Sequence, residues 1–98
     1  MSCLDHHAVE QRLSALQGWR LADLAIQKEY RFTEFMEGIR FVGRVADLAE
    51  RADHHPDILI RYRRVTLTLT THSEGGLTEK DFSLAREIDR LAGTDGTT

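Results

Sequence analysis

One cysteine and one proline in 98 residues are few, and each scarcity is informative. Cys3 has no second cysteine with which to form an internal disulfide, and a cysteine-based zinc site needs more thiolates than the chain holds. A reducing compartment is the simplest setting for such a chain. No apolar run is long enough to span a bilayer. The opening MSCLDHHAVE carries acids and lacks an apolar h-region, so it does not read as a secretory signal. The expected location is the cytoplasm. An excess of positive charge is also missing. The formal charge of −3 argues against direct nucleic-acid binding. In the one basic run, Arg61-Tyr62-Arg63-Arg64, strand alternation should split the charges between two faces of a solvated edge.

What is present fits one domain, expected over residues 1–93, followed by a disordered polar tail over 94–98. Val9, Leu13 and Leu16 form a narrow stripe, which predicts a first helix over 5–16, capped by Asp5 and stopped near Gly18. Residues 19–22 and 25–32 read as strands. In the second, Ile26, Tyr30 and Phe32 share a parity that Lys28 interrupts, which predicts a position near a sheet edge. Thr33 is the expected cap of a second helix over 34–52. Its two stripes, led by Phe35 and Phe41, make a face wider than one sheet contact needs, so a neighbouring helix or a second subunit should cover the rest.

The clearest pattern follows. Val65, Leu67 and Leu69 point one way, and Thr66, Thr68, Thr70 and His72 the other. Residues 57–62 and 65–72 therefore read as a hairpin. Thr78 with Asp81 three residues on opens the last helix as a variant capping box. The order α-β-β-α-β-β-α predicts an α+β domain with one four-stranded antiparallel sheet and helices on one face. The other face, rich in Thr and Arg, should be open and carry His72.

Five histidines fall into two groups. His6 and His7 open an exposed helix and read as surface residues. His54 and His55 precede Pro56, which holds the residue before it extended and ends the second helix. If 57–62 pairs with 65–72, the start of one strand lies beside the end of the other, and His54 and His55 come near His72. Three chemistries fit. The imidazoles are unrelated surface groups, or they hold zinc with water as a fourth ligand, or they move protons without a metal. Adjacent histidines on extended backbone point apart, and no HExxH pair is present, so zinc fits least well. Asp53, Asp57, Glu74 and Asp81 are near enough in sequence to orient an imidazole, and Asp81 is equally a helix cap.

Glu50, His54, His55, Pro56, Tyr62, His72 and Asp81 stand at the spacing of a known signature: an acidic residue, three residues, His-His-Pro, an aromatic, then His and Asp. On these residues the chain resembles the pterin-4a-carbinolamine dehydratase family, also called the dimerisation cofactor of a homeodomain transcription factor. The segments GWRL, ADLAERADHHP and THSEGGLTEKDFSLA extend the likeness over nearly the whole chain. The resemblance implies loss of water from 4a-hydroxytetrahydropterin to give quinonoid dihydropterin, which recycles the cofactor of aromatic amino acid hydroxylases. It implies that His54, His55 and His72 are catalytic. Pro56 and the segment Thr71, His72, Ser73 and Glu74 would line the pterin with them, supported by Glu50, Asp53 and Asp81. It implies no metal and no organic cofactor, a homodimer or homotetramer, and, as a second role, a non-enzymatic protein partner or a pterin binder without turnover. Many members carry Trp where this chain has Ile58. That alters a pocket wall and removes no proton-transfer group.

Overall fold

A computed structural model describes residues 3–94. The elements are α1 (His6–Ser14), β1 (Arg20–Ala22), β2 (Ala25–Arg31), α2 (Phe35–Ala52), β3 (Asp57–Arg61), β4 (Arg64–Leu69), a short 3-10 helix (His72–Glu74) and α3 (Glu79–Thr94). The strands form one antiparallel sheet in the order β1-β2-β4-β3. This is the expected α+β architecture. The tail over 95–98 lies outside the described residues, whereas Thr94 belongs to α3. Among the described residues no helix is long and apolar enough to cross a membrane.

The period-2 pattern of β4 sets the core. Val65, Leu67 and Leu69 are fully buried, as are Ile26 on β2, Phe41 and Val45 on α2, and Phe82, Ala85 and Ile88 on α3. Tyr30 and Phe32 pack their rings against Phe41 at 4.9 and 5.2 Å between centroids. Asp5 caps α1 as expected, its carboxylate accepting from the Ala8 amide at 2.8 Å. The cap of α2 is Glu34 rather than Thr33. Thr33 instead donates its hydroxyl to Glu37, which also accepts the Glu34 amide at 3.0 Å. These hydrogen bonds, Thr33's first, hold the Glu37 carboxyl below the usual range.

Lys28 lies near a sheet edge as expected, because β1 covers β2 only over Ala25–Gln27 and Lys28 pairs on the β4 side alone. The Lys28 ammonium reaches across the Tyr30 ring, 4.8 Å from its centroid, to Asp89 at 2.8 Å. Asp89 also accepts from the Tyr30 hydroxyl at 2.5 Å and the Trp19 indole at 3.1 Å. Burial, then the bond to Asp89, raises the Tyr30 phenol far above its ordinary value. A pattern that counts every charge as exposed misses a lysine with such partners.

The expectation for the arginines needs correction. A two-residue turn at Tyr62 and Arg63 pairs Arg61 directly with Arg64, and Arg64 pairs with Arg31 on β2. All three therefore share the open face, because directly opposed residues point the same way. Alternation cannot split them once a tight turn intervenes.

Candidate active site

The site begins where α2 ends. Asp53 takes the left-handed conformation (φ 52°), its amide donates to the Glu50 carbonyl, and the His54 amide donates to the Ala49 carbonyl. This pair of bonds is a Schellman closure, usually made with glycine at the left-handed position. The Asp53 side chain is exposed, and its contribution is the backbone turn that redirects the chain. His54, the next residue, leaves the helix axis and turns its ring inward.

The ring meets Asp81 on the first turn of α3. His54 Nε2 donates to Asp81 Oδ1 at 2.6 Å, with the imidazole only 11% exposed and the carboxylate 0%. Asp81 Oδ2 accepts from the Thr71 hydroxyl at 2.8 Å and the Thr78 amide at 3.0 Å. The proton positions follow by elimination. Thr71 has one hydroxyl proton, and it goes to the carboxylate, so the 2.9 Å contact between the two threonines is a donation from Thr78. Thr78 Oγ1 then accepts from the Lys80 amide at 3.2 Å. The Asp81 carboxylate and the Thr71 and Thr78 hydroxyls all find partners, as burial requires. Because Nε2 carries the hydrogen, Nδ1 of the neutral His54 ring is the nitrogen left to accept a proton.

Thr71 is 4% exposed, so its hydroxyl is spent on Asp81 and is not presented to a ligand. It is, however, bonded through the chain to His72. The expected extension of β4 to His72 does not occur. β4 stops at Leu69, Thr71 bridges to Gly76, and His72, Ser73 and Glu74 form the 3-10 helix. Gly75 closes it at φ 76°, a conformation that side-chain-bearing residues rarely adopt. His72 thus stands on a turn rather than on the open sheet face, exposed, with its imidazole lacking a hydrogen-bond partner among the described residues. Ser73 is exposed, and Glu74 and Pro56 are half-buried. His55 faces solvent, 54% exposed, with Nε2 donating to Glu50 at 2.5 Å. His6 and His7 are exposed, as expected, and His6 meets Glu10 at 3.1 Å.

His54 lines a cavity of about 300 Å³ between the end of α2 and the start of α3, with Leu48, Ala52, Ser83 and Leu84. His55 and His72 do not line it. A larger cavity, about 500 Å³, lies between the C-terminal ends of α1 and α3, over Lys28, Tyr30 and Asp89. Lys28 and Tyr30 both bond to Asp89 there, and no histidine lines it. Among the described residues no three His, Cys, Asp or Glu side chains converge as metal ligands. Sequence reasoning missed Thr78 as a network member, although its Thr-x-x-Asp spacing was visible as a cap. Cys3 is exposed and packs toward Gly76, where the Leu4 amide donates to the Leu77 carbonyl at 2.7 Å.

The family model for pterin 4 alpha carbinolamine dehydratase matches residues 2–91. The chain belongs to this family. A relative from Mycobacterium sp. (strain KMS), provisionally named as such a dehydratase, is 52% identical over 91 residues, covering 93% of this chain and 97% of its own. One from Sulfolobus acidocaldarius, named likewise, is 42% identical over 88 residues, covering 90% and 97%. Among solved structures, a transcriptional coactivator/pterin dehydratase from Brucella melitensis superposes with a TM-score of 0.90 at 38% identity, over 94% of this chain and all of that one. A pterin dehydratase-like RuBisCO assembly factor of the alpha-carboxysome has a TM-score of 0.67 at 26% identity, over 79% and 92%. The shared dehydratase fold is the frame on which the Asp81 network is built.

That network sets a stability expectation. Thr71→Val removes a donor from a buried carboxylate and should cost about 1–3 kcal/mol in urea unfolding, while Thr71→Ser should retain most of it. A Thr71→Val protein as stable as the parent would show that Asp81 does not depend on this hydroxyl.

Proposed function

We propose that this member of the family dehydrates 4a-hydroxytetrahydropterin to quinonoid dihydropterin by histidine acid–base catalysis, as a hydro-lyase that recycles the pterin used by aromatic amino acid hydroxylases. The observation that carries the reading is the buried His54–Asp81 pair, tied to Thr71, the residue before His72. In the reaction an imidazole takes the proton from N5. The electron pair left on N5 forms the N5–C4a double bond, and the C4a–oxygen bond breaks. A second imidazole protonates the departing hydroxyl, which leaves as water. His54 is assigned the base, since Asp81 pins one ring nitrogen and the other is left to accept. His72, with no internal partner, is assigned the acid. His55, steadied by Glu50, and Pro56, Ser73 and Glu74 are assigned to the pterin. The single cysteine supports a cytoplasmic setting.

The same reading includes self-association. β3 is an edge strand whose five residues, Asp57-Ile58-Leu59-Ile60-Arg61, are all exposed. In a two-residue hairpin the closing pair Arg61/Arg64 exchanges hydrogen bonds, so Ile58 and Ile60 direct their backbone groups outward. Antiparallel pairing with a second copy about Leu59 sets Asp57 opposite Arg61, Ile58 opposite Ile60, and Leu59 opposite itself. The sequence is thus self-complementary in charge and apolarity, as a two-fold interface requires. Phe35 and Met36 on α2 are also exposed and add apolar surface.

This exposed surface favours one second reading, a protein partner or pterin binder without turnover. Turnover of chemically generated 4a-hydroxytetrahydropterin, followed by absorbance, separates the two. His72→Ala should lower the rate by ~10²–10⁴-fold with the circular dichroism unchanged. An unaltered rate in that variant removes His72 from the mechanism. A parent protein with no turnover that holds a stoichiometric protein partner supports the second reading. For self-association, light scattering should give at least twice the 11.2 kDa chain mass, and Leu59→Lys, which sets like charges face to face, should shift the mass toward one chain. A variant with undiminished mass would rule out β3 as the interface.

A further inference from the structure

The open face of the sheet carries a feature that the dehydratase reading does not use. Arg31, Arg64 and Arg61 stand in one cross-strand row on β2, β4 and β3. Like charges directly opposed destabilise a sheet, and three in a row on a chain of net charge −3 is a local reversal of sign. Glu29 offsets Arg31 at 2.9 Å. The guanidinium groups of Arg61 and Arg64 have no hydrogen-bond or ion-pair partner among the described residues. Arg63, in the adjoining turn, lies 5.1 Å from the Tyr62 ring centroid. Tyr62 is 69% exposed and held at φ 56°, a left-handed position costly for a bulky residue. These five side chains line one cavity of about 460 Å³, within the size range of small-molecule sites.

We propose that this row is a binding site for a multiply charged phosphate group, such as the di- or polyphosphate of a small metabolite. Guanidinium forks match phosphate oxygens in pairs, so a ligand with two or more charges can engage Arg64 together with a neighbour on either side. The ligand relieves the repulsion that the register builds in. The site is distinct from the Asp81 network. Arg64 and Thr71 are separated by seven residues of nearly extended chain, roughly 20 Å. It is also independent of self-pairing through β3, which would bring Asp57 of a second copy to Arg61 and leave Arg64 and Arg31 facing the open side.

Inorganic pyrophosphate is the probe. Titrated into ¹⁵N-labelled full-length protein at low salt, it should give saturable shifts at the Arg31, Arg61 and Arg64 Nε–H signals and the Tyr62 amide, with a midpoint below ~1 mM. Arg64→Gln should weaken binding about tenfold. It should also raise the melting temperature of the unliganded protein, because it removes the central charge of the row. Sodium chloride at matched ionic strength should not reproduce the shifts. Non-saturating shifts that the chloride control matches would overturn the proposal, as would unchanged pyrophosphate binding by Arg64→Gln. A lower melting temperature in that variant would contradict the repulsion on which the site rests. None of these measurements depends on pterin turnover.

Discussion

The buried carboxylate of Asp81 is the constraint around which the site is organised. An ionised group with no solvent contact must find its hydrogen bonds inside the protein or lose several kcal/mol. Asp81 finds three donors, and they come from three separate segments: the second residue after α2, the second residue after β4, and the loop that opens α3. Satisfying one side chain therefore fixes the mutual position of three loops. Hydrophobic burial brings α2 and α3 onto the sheet, and the carboxylate then decides how their ends meet.

The polar side chains of the network differ in what they spend. Thr71 and Thr78 use all their hydrogen-bonding capacity internally, which makes them scaffold. His54 spends one ring nitrogen and keeps the other. His72 spends neither, and its 3-10 turn is bonded to Thr71, so the least constrained imidazole hangs from one of the most constrained residues. Such a division suits proton transfer, which needs a fixed base and a group able to follow a departing oxygen.

Much of the frame was legible because burial is periodic. The alternation of Val65, Leu67 and Leu69 gave β4 and its inward face, and the same logic gave the helices and the antiparallel order. The failures have local physical causes. The inward partner of Lys28 was not visible, because Asp89 lies far along the chain on α3. Arg61 and Arg64 were expected on opposite faces, but a two-residue turn puts them opposite each other on one face. His72 was placed on the sheet because the alternation continues past the point where Thr71 and Gly76 close the loop. Asp81 was visible as a cap, yet its second oxygen, which meets His54 27 residues away, leaves no local trace.

The proposed function requires His54, His55 and His72 to meet one reduced pterin. The most direct test is to titrate a stable dihydropterin into ¹⁵N-histidine-labelled protein and follow all five imidazoles. The expected result is a single saturable event that moves the signals of His54, His55 and His72 together and leaves His6 and His7 unchanged. Shifts confined to one of the three, or equal across all five, would contradict the claim.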